Sequence, residues 1–200
     1  MRFIGITGGA GAGKSELLSY LARRPETKVM LADEIAHTLM EPGTVCYEKI
    51  CRSFEKEEIF LPDGSFDRRR LAEVIFGDDR KRERMNGIVH PAVREYVGQT
   101  ADREREGGQT KLLVLEAALL IEEHYDEVCD ELWYIYARED VRRERLMRTR
   151  GYSQEKVCQI LKSQLPEEVY RSRCRVVIDN NGTVDEAFRQ LERAIDMKIE

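Results

Sequence analysis

Several classes of protein are excluded by what is missing. No apolar stretch approaches the roughly 20 residues of a membrane-spanning helix. From Met1 the chain runs directly into a strand pattern, with no basic leader, long apolar segment or cleavage site. A protein that is unprocessed, free of the membrane and cytoplasmic is the expectation. Cysteine occurs five times, an odd number, at Cys46, Cys51, Cys129, Cys158 and Cys174, with no C-x-x-C pair. Neither a disulfide framework nor a zinc site follows from that scatter. Positive charge is not in excess, since 33 Lys and Arg against 38 Asp and Glu leave a net charge of −5. An extended nucleic-acid surface needs the opposite balance, so no nucleic-acid partner is expected. Internal repeats and low-complexity segments are absent, as are a guanine-specifying N-K-x-D and, in the N-terminal loop, the dinucleotide pattern G-x-G-x-x-G.

The 200 residues are 42% apolar and 36% charged, enough for one core under a heavily solvated surface. One domain with an insertion fits that length. Five short apolar runs carry strand signals: "RFIGIT" (2–7), "KVMLAD" (28–33), "KLLVLE" (111–116), "ELWYIYA" (131–137) and "RVVID" (175–179). Being apolar on both faces, they fit a buried parallel sheet. Helical patterns lie between them, in "KSELLSYLARR", "DVRRERLMRTR", "SQEKVCQILKSQL" and "VDEAFRQLERAI". The alternation predicts an α/β three-layer domain with right-handed crossovers. Residues 41–107 are too many for one crossover and too polar for a core strand, so they are expected to form a helical insertion. Within it, "LPDGSFDRR" (61–69) reads as a turn. Arg70 to Phe76 and Lys81 to Val89 read as helices, the second ending at a break at His90–Pro91. "EREGGQTK" (104–111) reads as the loop returning to the sheet.

The stretch "GITGGAGAGKSELL" from Gly5 carries the chemistry. Gly8, Gly13, Lys14 and Ser15 match G-x-x-x-x-G-K-[ST] between a strand and a helix. There the glycines let backbone N–H groups and a helix N-terminus face a polyphosphate, Lys14 reaches the β and γ phosphates, and Ser15 ligates Mg2+. Switches, motors and small-molecule kinases all share this loop, so the other strand ends must decide the reaction.

Ligands gather at the carboxyl ends of strands in such sheets. Asp33, Glu116, Arg138 and Asn180 are expected there. Asp33 reads either as a carboxylate accepting a proton from an acceptor hydroxyl or as the N-cap of "EIAHTLM". Glu116 reads as a metal-side or phosphate-side carboxylate or as a solvated loop residue. Arg138 to Arg150 holds six arginines and three acids, with Arg142, Arg145 and Arg148 three residues apart on roughly one helix face. Arginine can neutralise a transferring phosphoryl group, which makes this a candidate mobile lid, and a solvated charged face is the plainer alternative. His90, ahead of a proline, is as readily a turn residue as a functional one.

Taken together, the residues resemble dephospho-CoA kinases, the enzymes of the last step of coenzyme A synthesis. The likeness runs through "GITGGAGAGKS", "LADEIAH", "DGSFDRRRLAEVIF", "MNGIVHPAV", "LEAALLIE", "RLMR" and "VVIDNNG". It implies an α/β three-layer P-loop NTPase fold with a parallel five-stranded sheet. The nucleotide-binding core would be 1–40, 108–137 and 172–200, with a helical acceptor-binding insertion at 41–107 and a helical lid at 138–171. It implies ATP and Mg2+ as cofactors and phosphorylation of the ribose 3′-hydroxyl of dephospho-CoA. Asp33 would be the base, and Gly9, Ala10, Gly11, Ala12, Gly13, Lys14, Ser15 and Glu16 would hold the nucleotide, with Ser15 on the metal. Arg145 and Arg148 would be lid arginines, and Asn180 would border adenine. Arg68, Asn86, His90 and Glu116 would meet the acceptor alongside Asp33. The chain departs from the family's usual residues at Glu116–Ala118, Arg142, Tyr170 and Cys174–Arg175. A nucleoside monophosphate kinase, or another small-molecule kinase, and a regulatory homologue without activity are the rival readings.

Overall fold

The computed structural model describes residues 1–197. Its sheet has strands β1 (Arg2–Thr7), β2 (Thr27–Leu31), β3 (Leu112–Glu116), β4 (Glu131–Tyr136) and β5 (Val176–Asp179), in the order β2-β3-β1-β4-β5. β1 pairs in parallel with β3 and with β4, and β4 pairs in parallel with β5. The most buried strand is thus the one that feeds the glycine-rich loop. Phe3, Ile4 and Ile6 on β1, Leu113 to Leu115 on β3 and Trp133 and Ile135 on β4 are fully buried, each stabilising the fold by roughly 1.5–3 kcal/mol.

Two compact units emerge from the chain: residues 1–30 with 104–200, and residues 31–103. The first holds the sheet, α1 (Lys14–Leu21), α6 (Glu139–Arg150), α7 (Gln154–Lys162), α8 (Glu167–Arg173) and α9 (Val184–Asp196). Helix α9 starts with a reciprocal cap between Thr183 and Glu186 and buries Ala187, Leu191 and Ala194. At its other end Arg2 donates to the carbonyls of Ala194 (3.0 Å) and Ile195 (2.9 Å) while its Nε lies 2.5 Å from Glu131. One guanidinium so ties the start of β1 to β4 and to the negative end of a helix.

The second unit consists of α2 (Ala32–Leu39), α3 (Val45–Ser53), α4 (Arg68–Phe76) and most of α5 (Asp79–Gly107). Its turn at 61–69 is as expected and has a clear cause. Gly64 takes φ 83°, Asp63 accepts from the Ser65 amide (2.9 Å) and hydroxyl (2.6 Å), and Phe60 and Phe66 form an antiparallel bridge. Asp67 then caps α4 by accepting from the amides of Arg69 and Arg70.

Four sequence expectations need correction. β2 ends at Leu31, and Asp33 lies in the first turn of α2 with Leu31 as the N-cap, so Asp33 neither ends the strand nor caps the helix. Helix α5 runs through Pro91 without a break. The missing N–H and the ring cost about 3 kcal/mol, yet Met85, Val89, Val93, Val97 and Ala101 are buried at intervals of four along one face. That burial, roughly 1.5–3 kcal/mol for each large aliphatic side chain, outweighs the proline. For the same reason α5 continues to Gly107, shortening the expected return loop, which turns at Gly108 with φ 65°. Finally, α8 occupies 167–173, where no helical pattern was read, and runs two residues past 171, the expected end of the helical lid.

Because Pro91 is exposed, Pro91→Ala restores a backbone donor without opening a cavity. Calorimetry should show Tm raised by on the order of 5 °C; a fall would mean that the ring itself packs.

Candidate active site

Between β1 and α1 the loop curls over Gly9 to Gly13, with the Ala12 amide donating to the Gly9 carbonyl at 3.0 Å. Gly11 and Gly13 sit at φ 80° and 88°, the left-handed region that side chains disfavour. Gly13 is the N-cap of α1, so no side chain caps the helix start. Orphan N–H groups and the positive end of the helix dipole are therefore presented together. Lys14 donates to the Gly8 carbonyl at 2.7 Å and lies 3.5 Å from Glu116 at the end of β3, both side chains being largely buried. Ser15 and Glu16 are exposed in the first turn.

The other side of the loop is held by side chains on its carbonyls. Buried Asn180, just past β5, donates its Nδ2 to the Ala12 carbonyl at 2.7 Å. Arg145 reaches the same carbonyl at 3.4 Å and the Asn180 carbonyl at 2.9 Å. Arg142 donates Nε to the Ala10 carbonyl at 3.0 Å and an Nη to the Gln164 side chain. A β-carbon at Gly13 would collide with the Asn180 amide, and one at Gly9 with the Arg142 guanidinium.

Within this unit, then, Gly9 to Ser15, Glu116, Arg142, Arg145 and Asn180 come together. Arg148 does not, because its guanidinium pairs with Glu144 at 3.2 Å in an exposed i,i+4 pair. The three-residue spacing drifts by 60° at each step, which carries Arg148 off the face that Arg142 and Arg145 share. In the sequence Arg142 was legible as a member of that face and as an unusual residue at its position, not as a brace for the loop, and its contact with Gln164 had no sequence signal.

Tyr170, Cys174 and Arg175 also lie in this unit. Tyr170 stacks on Tyr134, with centroids 4.8 Å apart and planes at 8°. Cys174 is buried, and Arg175 lies 3.8 Å from Glu131.

In the second unit, Asp33 is exposed on α2 and Arg68 is exposed at the start of α4. Asn86 and His90 lie four residues apart on α5, on one face of the helix. The exposed Asp63 carboxyl is held below the usual carboxylate range by its bonds from Ser65.

A sequence model of dephospho-CoA kinase matches residues 2–186. The chain belongs to the dephospho-CoA kinase family. Among its relatives, the dephospho-CoA kinases of Geobacter sulfurreducens and Shouchella clausii are 38% and 35% identical over 192 residues, in each case 96% of both chains. A crystal structure of a protein from Thermus thermophilus is similar with a TM-score of 0.77 at 29% identity, covering 97% of this chain and 96% of that one. The family's P-loop kinase fold is the one described above, and among the described residues no helix is long and apolar enough to cross a membrane.

Burial pushes the Cys174 thiol up to about 12, and burial, then the nearby Glu167 charge, push the Tyr134 phenol up to about 12. Both folded values lie above the unfolded ones, so this stabilisation is complete below about pH 8.5 and is lost as pH rises toward 12. Thermal melts should fall over that window, less steeply in Cys174→Ala; identical slopes would contradict the burial argument.

Proposed function

We propose that this chain transfers the γ-phosphoryl group of ATP to the ribose 3′-hydroxyl of dephospho-CoA, giving coenzyme A and ADP, the last step of coenzyme A synthesis. The observation that carries this reading is the family match, which spans both compact units and so includes the loop and the helices that would receive the acceptor.

The loop fits a triphosphate. Its glycines leave no side chain over the N-terminal amides of α1, and Lys14 stands beside them as a movable cation. On binding, Lys14 would leave the Gly8 carbonyl for the β and γ phosphates and neutralise charge as the bridge breaks. Ser15 would hold Mg2+, and Glu116, beside Lys14, would supply a carboxylate on the metal or phosphate side. That ion, when bound, supplies Lewis-acid neutralisation of phosphate charge. Arg145 would add positive charge from α6, and Asn180 would border the adenine while bracing the loop. Arg148, on the same helix, would reach the phosphates only when the 138–171 segment closes as a lid.

Residues 41–107 would form the acceptor-binding insertion, with Arg68, Asn86 and His90 holding dephospho-CoA. Asp33 would orient the 3′-hydroxyl and take its proton during in-line attack. The core would then comprise 1–40, 108–137 and 172–200. The absence of a disulfide among the five cysteines suits a reducing cytoplasm. A nucleoside monophosphate kinase or an inactive relative is not favoured, because the family likeness extends through the acceptor motifs.

ADP release with Mg-ATP and, separately, dephospho-CoA, adenosine, AMP and CMP tests the acceptor. Turnover with dephospho-CoA alone is expected, with Asp33→Asn nearly inactive; turnover with AMP or CMP alone would overturn the assignment. Lys14→Ala should lose on the order of 10²–10³ in rate, and normal turnover would refute its role.

A further inference from the structure

Peptide geometry gives Arg142 a part in the phosphate loop that its charge alone does not suggest. A trans peptide points its C=O and its N–H to opposite sides, and no described peptide bond is cis. Arg142 Nε holds the Ala10 carbonyl at 3.0 Å, so the Gly11 N–H of that peptide is directed away from Arg142. Asn180 and Arg145 do the same to the next peptide but one, holding the Ala12 carbonyl and turning the Gly13 N–H away from themselves. Two alternate amides are thereby aimed by side chains that stand behind them.

We propose that Arg142 is a positioning residue: it aims the Gly11 amide at an anionic phosphoryl group by holding the Ala10 carbonyl, and does not itself contact the phosphate. This rests on the triphosphate reading of the loop given above. Three observations set Arg142 apart from a mobile phosphate ligand. Its guanidinium is committed at two places, to the Ala10 carbonyl through Nε and to Gln164, in the turn after α7, through an Nη. It fills the space that a side chain at Gly9 would need, so the glycine and the arginine are matched. The α6 backbone also abuts the loop at this point, since a β-carbon on Gly11 would lie 2.7 Å from the Arg142 carbonyl oxygen. Swinging the side chain toward a ligand would break both hydrogen bonds and release the Ala10 carbonyl.

Glutamine separates aiming from charge. Its Nε2 is as many bonds from Cα as the arginine Nε, so Arg142→Gln keeps a donor for the Ala10 carbonyl and removes the cation; Arg142→Ala removes both. In calorimetric titrations with Mg-ATP, Arg142→Ala should bind about tenfold more weakly, as for loss of one charge-assisted hydrogen bond. Arg142→Gln should stay within about threefold of wild type. Equal weakening in both variants would mean a direct charge contact and would overturn the proposal, as would unchanged binding by Arg142→Ala. The ligand-free protein gives a second readout: the Gly11 amide resonance should move in Arg142→Ala and remain near its wild-type position in Arg142→Gln. A Gly11 resonance unmoved in Arg142→Ala also overturns the proposal. That resonance needs no nucleotide, so failure of the wild type to bind Mg-ATP would sink the triphosphate reading while the aiming role is still judged. Melting curves would confirm that both variants fold.

Discussion

A loop that offers its amides to an anion must do something with its carbonyls. Each peptide of the curl between β1 and α1 that turns an N–H one way turns a C=O the other, and carbonyls left bare beside packed side chains would each cost about 1–3 kcal/mol. Here the carbonyls of Ala10 and Ala12 are taken up by Arg142, Arg145 and Asn180. Those residues come from the helix after β4 and the loop after β5. Much of the remaining architecture follows from that requirement. β1 must lie next to β4, β4 next to β5, and both strands must end level with the loop, as the parallel registers provide. The small residues at 9, 11 and 13 make room for the groups packed behind the loop.

The electrostatics have the same two-sided character. Arginines brace the back of the loop, and Lys14, the one cation within the loop itself, rests on the Gly8 carbonyl beside Glu116. A lysine is suited to that movable part because its ammonium is a compact point charge on a flexible stem. Arginine suits the bracing part, since a fork of several donors can satisfy two acceptors at once. The Arg145 guanidinium does this between Ala12 and Asn180, and the Arg142 guanidinium between Ala10 and Gln164.

The strands, the loop and the turn at 61–69 were legible in the sequence because each has a local cause: an apolar run, a glycine spacing, an Asp-Gly pair. The same local reasoning failed at Pro91, where burial of five side chains along one face of α5 outweighed one lost hydrogen bond. It failed at Asp33 because an apolar run does not mark where a strand passes into a helix. Arg142, Arg145 and Arg148 looked equivalent by spacing and are not, since helical drift leaves Arg148 paired with Glu144 in solvent. The part played by Arg142 could not be read from sequence at all, because its partners are a main-chain carbonyl 132 positions away and a glutamine in another segment. In the second unit, much of the "DGSFDR" stretch is explained by the turn and the helix cap it builds, which leaves Arg68 as the member free of that local duty.

In the proposed reaction, phosphate reaches a sugar hydroxyl rather than another phosphate. Phosphorus NMR of the product formed from Mg-ATP and dephospho-CoA tests it most directly. A new phosphomonoester resonance coupled to the ribose 3′ proton should appear together with ADP. A new anhydride resonance, or ADP appearing with inorganic phosphate and no ester, would contradict it.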